Sequence, residues 1–507
     1  MHRRHFLKCG LTALAAAGVL RRAVAHPAPA AAHSASAMTP HAAPAAAAAE
    51  AAALLPADRL RAGQALRPLP LLRNESTQPG TFAGTLVAEP GSAQLTNDPS
   101  ATACWRYNQS LPGPLIVLEE GMDVSLTFIN RLPEPSTIHW HGLPVPANQD
   151  GGPDDPVAPG ATRVYRFTLP PGSAGTYWYH PHPHQGVSGQ IARGLAGAIV
   201  VRAPQDPLAA LPEQHWAISD LRLDADAQIP PHTYGDWVDG REGEFVLING
   251  QYRPAMVLSG THRVRIWNMC SARYLNLSLP GCRFIPVGSD GGLLEKVLPA
   301  QEAILLSPGE RMEVLVTGAD SHTSLALLPY NRHRMMSPPP QAATDIATVS
   351  YRAAPLPVSE GAALRTIAPL GEPGNQLRAV MMEKMGDIMK NKGGTPPRAF
   401  LINGKPFDMA RMDLNSKAGV VDRWEIINAT TMDHPFHIHG GQFQVTERQY
   451  LGKKSAPACL AWKDTVNLRP GEIVRLLMRQ DSPGMRMYHC HIIEHEELGM
   501  MGMLNVT

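Results

Sequence analysis

The sequence predicts an all-β protein that is built from three consecutive β-sandwich domains. The 507 residues include 48 Pro and 44 Gly, which favour short strands joined by turns over long helices. Between these turns, apolar residues alternate with polar ones, as they do in strands that have one buried face. The same short motifs also recur three times in the same order, which indicates three copies of one folding unit.

Two sequence markers define the repeat. An apolar strand ends in Asn at VSLTFIN, VRIWN and WEIIN, whose last residues are Asn130, Asn268 and Asn428. A Pro-Gly turn then leads into a further strand at VAPGATRVYRF, LSPGERMEVLV and LRPGEIVRLLM. The copies follow one another at similar intervals, which fits one β-sandwich per copy. We therefore predict three domains, at residues 71–204, 205–360 and 361–507.

The N-terminal part of the chain is expected to lie outside these domains. Arg3 and Arg4, followed by His-Phe-Leu-Lys and a short apolar stretch, resemble a twin-arginine export signal with a small-x-small cleavage motif that ends at Ala25. The apolar stretch is about half of the roughly 20 residues that span a bilayer. We expect a removed signal peptide at residues 1–25, a disordered Ala/Pro-rich leader at 26–70, and no stable membrane span. The predicted location is the periplasm, reached through the twin-arginine machinery.

Charge and cysteine content narrow the function classes. The net charge is +1, so no basic surface is predicted to bind nucleic acid. Separately, we expect the protein to be a monomer. Of the six cysteines, Cys9 lies in the predicted signal peptide and Cys490 in a motif discussed below. An oxidising compartment permits up to two disulfides among the other four. The sequence leaves their pairing open, and free thiols are the alternative. These cysteines are Cys104, Cys270, Cys282 and Cys459.

The first and third domains each contain two His-x-His pairs at equivalent places. TIHWHG matches PFHIHG, and GTYWYHPH matches GMRMYHCH, whereas the middle domain has no such pair. Residues i and i+2 of a strand face the same way, so each pair forms a rigid pincer. If the first and third domains pack together, eight imidazoles converge, which suits a cluster of about three metal ions. They are His139, His141, His180, His182, His437, His439, His489 and His491.

A second metal site is predicted around Cys490, which lies between two of these histidines and therefore faces away from the cluster. Its expected partners are His434 and His495, with Met500 as a weak axial ligand. Two His, one Cys and a distant Met form the ligand set of a blue-copper site. The equivalent residue of the first domain is Pro181, so we predict one such site. A site that collects single electrons beside a metal cluster suits the four-electron reduction of O₂ to water.

The motifs HWHG, YHPH, HPFHIHG and HCHIIEHEELGM resemble those of three-domain multicopper oxidases, the family of laccases and periplasmic copper-efflux (cuprous) oxidases. The resemblance covers the chain beyond the leader and implies three cupredoxin folds with four copper ions. It implies a type 2 copper at His139 and His437, and a type 1 copper at His434, Cys490, His495 and Met500. It implies a type 3 pair at His141, His180, His182, His439, His489 and His491.

Two carboxylates are candidates for proton delivery. Asp150 in NQDGG and Glu496 beside His495 match family acids that lie near the copper cluster, and we predict that both act as proton relays. The alternatives are a surface turn for Asp150 and an exposed carboxylate for Glu496.

The segment AVMMEKMGDIMK is a candidate substrate site. Met382, Met385 and Met389 have helical spacing, which fits either a short amphipathic helix with adaptable side chains or a path for Cu(I), a soft ion that thioethers bind. The segment resembles the Met-rich insert of copper-efflux oxidases, which implies a substrate copper at Met382, Asp387 and Met432. The insert is shorter here, and Thr430 replaces the fourth family residue, an Asp.

Three functions remain in view. Met500 as the axial ligand implies a moderate reduction potential and an easily oxidised donor. We therefore predict an oxidase that couples one-electron oxidation of Cu(I), as in copper detoxification, to reduction of O₂. The first alternative is a laccase-like oxidase of phenols, because a short insert would expose the type 1 site. The second is a copper-binding or scaffold protein without turnover.

Overall fold

A computed structural model describes residues 53–99, 101–390 and 398–507, all within one compact unit. The predicted signal peptide and the first half of the predicted leader lie outside the described residues. Among the described residues the helices are short, namely α1 (Val187–Ala192), α2 (Tyr234–Asp239), α3 (Met385–Lys390) and α4 (Ile493–Glu497), with 3₁₀ turns at Ala57–Arg59 and Ala147–Gln149.

The first domain consists, in its described residues, of two four-stranded sheets with the orders β2-β1-β4-β6 and β3-β8-β7-β5. In β4 every second side chain is buried, so the predicted period-2 pattern does face a core. The strands are β1 (Thr81–Ala93), β2 (Thr102–Tyr107), β3 (Gly113–Glu119), β4 (Asp123–Asn130), β5 (His139–His141), β6 (Thr162–Thr168), β7 (Gly175–His180) and β8 (Gly197–Arg202).

The middle domain contains a seven-stranded sheet, β11-β10-β9-β13-β18-β15-β16, and a five-stranded sheet, β12-β20-β19-β14-β17, as far as the chain is described. Its strands are β9 (Glu213–Leu221), β10 (Phe245–Ile248), β11 (Gln251–Tyr252), β12 (Ala255–Ser259), β13 (Arg263–Asn268), β14 (Leu275–Ser278), β15 (Cys282–Ser289), β16 (Gly292–Leu293), β17 (Ala303–Leu306), β18 (Arg311–Gly318), β19 (Ser321–Leu327) and β20 (Thr344–Arg352).

The third domain contains, outside the gap at 391–397, a six-stranded sheet, β22-β21-β24-β29-β26-β27, and a five-stranded sheet, β23-β31-β30-β25-β28. Its strands are β21 (Asn375–Glu383), β22 (Phe400–Ile402), β23 (Leu414–Ser416), β24 (Val421–Asn428), β25 (His434–Ile438), β26 (Phe443–Tyr450), β27 (Lys453–Ser455), β28 (Thr465–Leu468), β29 (Ile473–Arg479), β30 (Gly484–Cys490) and β31 (Met501–Val506).

The three domains repeat one topology, which confirms the predicted all-β class. The strand that ends in the marker Asn pairs in parallel with the first long strand of its domain, as β1–β4, β9–β13 and β21–β24. The Asn itself is buried each time, and its amide donates to two main-chain carbonyls, for example Asn428 to Met432 O and Leu468 O at 2.8 and 2.9 Å. Equivalent bonds hold Asn130 and Asn268. The marker therefore fixes the turn after each strand.

The leader departs from its prediction where the structure describes it. Leu55 and Leu60 are each 3% exposed, and they pack in a cluster with Leu223. Main-chain contacts also join Leu55 N to Leu223 O and Ala65 to Ala255. The predicted disorder is wrong for residues 53–70, because widely spaced leucines in an Ala/Pro-rich segment still bury enough apolar surface to order the chain. The domain boundaries given above stay predictions.

The structure also bears on the disulfides that the sequence permitted and on the presence of membrane-spanning helices. Cys104, Cys270, Cys282, Cys459 and Cys490 are all free thiols, so the disulfides that the sequence permitted do not form among these residues. No helix in the described part of the chain is long and apolar enough to cross a membrane.

Candidate metal centre

Each of the four His-x-His pairs begins on a strand, and these strands pair with matching register, while His182, His439 and His491 lie just beyond the strand ends. In the first domain β5 pairs with β7, so that His139 lies opposite His180. In the third domain β25 pairs with β30, so that His437 lies opposite His489. Residues that the sequence repeat equated therefore hold equivalent places in two separate sheets. All eight imidazoles of the pairs are at most 1% exposed.

The two domains bring these imidazoles to one shared space. His139 Nε2 lies 3.4 Å from His437 Nε2, and His182 Nε2 lies 3.4 Å from His489 Nε2, so both contacts cross from the first to the third domain. The ring of His141 also stacks on that of His437, with centroids 3.8 Å apart. The predicted convergence of the first and third domains is confirmed at the level of geometry.

Main-chain carbonyls set the orientation of several rings. The Nδ1 atom of His139 lies 3.0 Å from Asp150 O, that of His437 lies 2.7 Å from Asp464 O, and that of His489 lies 2.9 Å from Cys490 O. A carbonyl oxygen only accepts, so each Nδ1 carries the proton and donates it. The lone pair of Nε2 is then left to point into the shared space, as a metal ligand requires.

Other ring nitrogens fit a metal because they lack a partner in the described part of the chain. His141 donates Nε2–H to Asp464 Oδ1 at 2.9 Å, and its buried Nδ1 is unpaired, as are His180 Nε2 and both nitrogens of His491. Burial lowers the pKa of His182 to about 4 and that of His491 to about 3. Neutral, unpaired imidazole nitrogens are the donor set that copper or zinc binds.

The predicted proton-relay acids are buried beside these rings. Asp150 is 4% exposed and accepts from His439 Nδ1 at 2.9 Å, and Glu496 is 1% exposed with Oε2 3.0 Å from His489 Nδ1. Burial acts to raise the pKa of Glu496, but His182 and His489 outweigh it and lower the pKa to about 2. Both alternatives, a surface turn and an exposed carboxylate, are therefore wrong.

The Cys490 site is a separate, equally buried cluster. His434 Nδ1 lies 3.2 Å from Cys490 Sγ and 3.3 Å from His495 Nδ1, and the three ligand atoms lie within 4.8 Å of one another. Met500 is fully buried, and its main-chain carbonyl accepts from Cys490 N at 3.0 Å. Burial raises the pKa of the Cys490 thiol above its usual value, so a bound cation is needed to hold it as the thiolate.

A helix of the middle domain covers this cluster, and the sequence analysis missed it. His495 donates Nε2–H to Val238 O of α2 at 2.9 Å, while Phe400 stacks on the other side of the His495 ring at 4.0 Å. The start of α2 does carry a readable signal, because Thr233 and Asp236 form a capping box. Its place over His495 could not be read, since it depends on packing between domains.

The methionine segment is only partly helical. Met382 is the second-last residue of β21, whereas Met385 and Met389 lie on α3. These three side chains are 38%, 37% and 46% exposed, and the buried residue of α3 is Ile388. The methionines therefore do not pack into the core, which the interpretation as an amphipathic helix had predicted. Asp387 is exposed as well, whereas Met432 is fully buried. Tyr234 of α2 donates its hydroxyl to Ile388 O, which places α3 against the helix that covers His495.

The fold and the two histidine-rich clusters define a copper oxidase of the cupredoxin class, and comparisons with known proteins agree. Multicopper oxidase family models match residues 91–206 and 380–507. Multicopper oxidase mco of Staphylococcus aureus is 31% identical over 412 residues, which is 79% of this chain and 83% of the relative. This chain therefore belongs to the multicopper oxidase family and is an oxidoreductase.

Two solved structures show different members of that family. A multicopper oxidase from Campylobacter jejuni, described as a metallo-oxidase, has 44% identity and a TM-score of 0.87 over 90% of this chain and 98% of its own. A laccase-like enzyme from Ochrobactrum sp. with activity towards lignin model compounds has 27% identity and a TM-score of 0.75, over 87% of this chain and 100% of its own.

Proposed function

We propose that this multicopper oxidase oxidises Cu(I) to Cu(II), one electron at a time, and reduces O₂ to water with four such electrons. The observation that carries the choice of donor is the closed edge of His495, which is fully buried and bonded to Val238 O. A bulky aromatic donor cannot contact that ring while α2 stays in place, because the ring is fully buried. A small ion needs only a surface site next to the cover.

The copper ligands that we propose follow the family resemblance. Bound copper would supply the one-electron redox chemistry and the activation of O₂. His434, Cys490, His495 and Met500 would hold the type 1 ion, and His139 with His437 the type 2 ion. The type 3 pair, which completes four ions per chain, would be held by His141, His180, His182, His439, His489 and His491.

The chain connects the two clusters directly. Cys490 belongs to one cluster, and the next residues on either side, His489 and His491, belong to the other. The carbonyl of Cys490 also accepts from His489 Nδ1 at 2.9 Å. A donor side and an O₂ side are therefore joined through one tripeptide and one hydrogen bond.

Proton supply is proposed for the two buried carboxylates. Asp150 contacts the rings of His139 and His439, with Oδ1 and Oδ2 at 3.5 and 2.9 Å. Glu496 contacts His182 and His489 at 3.3 and 3.0 Å from the other side of the cluster. Each carboxylate lies at hydrogen-bond distance from a ligand ring, where it can accept a proton and pass it on as the reduction of O₂ consumes protons.

The surface beside α2 supports Cu(I) as the donor. Met382, Met385 and Met389 offer exposed thioethers, which are soft ligands that favour Cu(I). Asp387 adds an exposed carboxylate on α3, between Met385 and Met389. The shorter insert was expected to leave the type 1 site open to phenols. In the structure, α2 of the middle domain covers the type 1 site. The short insert therefore does not leave this site open to phenols, which weakens the case for a laccase.

The test compares O₂ uptake by copper-loaded protein with Cu(I) and with 2,6-dimethoxyphenol. We expect Cu(I) to be the better donor, and replacement of Met382, Met385 and Met389 by Leu to lower Cu(I) turnover alone. Met485→Leu is the matched control, because Met485 is 42% exposed but lies at the opposite end of β30 from Cys490. Faster turnover with the phenol, and no effect of the triple variant, would favour the laccase alternative.

We further propose that the enzyme acts in the periplasm after twin-arginine export. The support is the N-terminal motif alone. Cell fractionation of the native protein and of a variant with both Arg3 and Arg4 changed to Lys tests it, since loss of the arginine pair should trap the enzyme in the cytoplasm.

A further inference from the structure

We infer that Arg311 of the middle domain is a positioning residue for the eight-histidine cluster and acts on it through Asp464. The middle domain contributes none of the predicted copper ligands, yet its turn Ser307–Arg311 forms one wall of the cluster. This inference rests on the proposed copper assignment and adds a role for residues that the assignment does not use.

The first step is the bond between Arg311 and Asp464. Arg311 Nη1 donates to Asp464 Oδ1 at 2.7 Å and Nη2 donates to Oδ2 at 2.5 Å, and both residues are fully buried. A two-point contact of this kind fixes the plane of the carboxylate as well as its position. Arg311 Nε also donates to Thr176 O of β7 at 2.7 Å, so one side chain joins all three domains.

The second step leads from Asp464 to ligand rings on both sides of the cluster. Asp464 Oδ1 accepts from His141 Nε2 at 2.9 Å, and Asp464 O accepts from His437 Nδ1 at 2.7 Å. The first bond places the proton of His141 on Nε2 and leaves Nδ1 as its donor atom, the reverse of the arrangement in His437. Asp464 therefore selects the ring nitrogen that each of these residues offers to a metal.

The same turn also touches the cluster directly. Gly309 has φ +84°, and a Cβ atom on it would lie 3.0 Å from His491 Cγ and Cδ2. Any residue larger than glycine at position 309 would displace the imidazole of His491. The main chain of the turn is held in place by Asp290, whose Oδ1 accepts from Arg311 N at 2.8 Å. The wall is thus rigid where it meets His491.

The alternative is that Arg311 only holds the domains together. A buried ion pair can do this without affecting the metals, so stability alone does not separate the two roles. Arg263 provides the matched control. It belongs to the same domain, is 2% exposed, and pairs with Glu313 and Asp206, but its partners do not include Asp464.

The experiment compares Arg311→Lys with Arg263→Lys, since each keeps the charge and loses the two-point geometry. The measurements are copper per chain, the electron paramagnetic resonance signal of type 2 copper, and the affinity of the eight-histidine cluster for copper in a chelator titration. The blue absorption is the reference for the Cys490 site. For Arg311→Lys we expect about 10–100-fold weaker copper binding in the eight-histidine cluster with unchanged blue absorption. For Arg263→Lys we expect wild-type values.

Two outcomes overturn the inference: a wild-type affinity and resonance signal in Arg311→Lys, or the same loss in Arg263→Lys. If Arg311→Lys does not fold, Asp464→Asn, which keeps the shape of the side chain, must weaken copper binding in the eight-histidine cluster for the inference to stand. Where both variants fold, their losses must not add in the double variant, because both act through one path. Wild-type protein that binds no type 2 or type 3 copper would instead refute the proposed function.

Discussion

The Nε2–H group of His495 donates to the main-chain carbonyl of Val238 across 2.9 Å, and this bond joins the third domain to a helix of the middle domain. The bond occupies the edge of the imidazole that would otherwise face a donor molecule. A segment that is distant from the copper-ligand motifs in the sequence therefore covers His495, and the proposed preference for Cu(I) depends on this cover.

Loosening α2 should change substrate preference. Thr233→Ala removes the side-chain cap that accepts from Asp236 N, which costs about 0.5–2 kcal/mol of helix stability. We expect the ratio of 2,6-dimethoxyphenol to Cu(I) turnover to rise, because transient opening admits the phenol to His495. O₂ uptake measures the ratio, and Thr168→Ala, which alters a threonine on β6, should leave it unchanged. A constant ratio in Thr233→Ala would show that α2 does not exclude phenols.

Loss of the thiol should separate the two clusters. In Cys490→Ser the blue absorption should disappear, because the thiolate is the ligand that defines a blue-copper site, while copper in the histidine cluster stays bound. Oxidation of either donor should fall to background. Visible absorption, copper analysis and O₂ uptake measure these effects together. Persistence of the blue absorption would mean that Cys490 is not the type 1 ligand.

Replacing Asp150 should slow the reduction of O₂ and leave the donor side intact. Asn keeps the size of the side chain but cannot deliver a proton, and a positioned acid or base typically contributes about 10²–10⁴-fold to a rate. We expect turnover in Asp150→Asn to fall within that range while the blue absorption is retained. The control is Asp154→Asn, which changes an exposed neighbour. Equal turnover in both variants would remove Asp150 from the mechanism.

The buried carboxylate of Glu313 should make stability depend on pH. Burial acts to raise the pKa of Glu313, but Arg263 and Arg265 outweigh it and lower the pKa below its usual value. A carboxylate with a lowered folded-state pKa stabilises the fold above its unfolded value, near pH 4.3, and that stabilisation is lost as the pH falls through the folded-state value. Glu313→Gln should therefore lower the free energy of unfolding by about 3–5 kcal/mol at neutral pH.

Denaturant unfolding at several pH values tests this expectation. The difference between wild type and Glu313→Gln should shrink below pH ~4. Glu302→Gln, whose side chain is 83% exposed in its pair with Arg283, should unfold like the wild type at every pH. A difference that stays constant with pH would show that the ionised state of Glu313 is not what stabilises the fold.

The ordered part of the leader should contribute to stability. Leu60 is 3% exposed, and a buried Leu→Ala change costs about 2–5 kcal/mol. We expect Leu60→Ala to unfold at lower temperature, as followed by circular dichroism. Leu54→Ala is the matched control, because Leu54 is 45% exposed and should matter little. An unchanged melting temperature in Leu60→Ala would restore the prediction of a disordered leader.

Much of the site was readable from the sequence because strand geometry is local. Alternation along a strand places His489 and His491 on one side and Cys490 on the other, so two clusters follow from one tripeptide. The repeat of the marker Asn gave the three-domain plan, and the matching registers of β5–β7 and β25–β30 follow from the same duplication.

The remaining features depend on contacts between residues that are far apart in the chain. Arg311 meets Asp464, Val238 meets His495, and Leu55 meets Leu223. None of these residues carries a pattern that names its partner, since an arginine, a carbonyl or a leucine can satisfy many neighbours. The sequence determined which side chains can bind copper and which way they face along each strand. Only the tertiary structure decided which domain encloses them, because enclosure is set by the packing of whole domains.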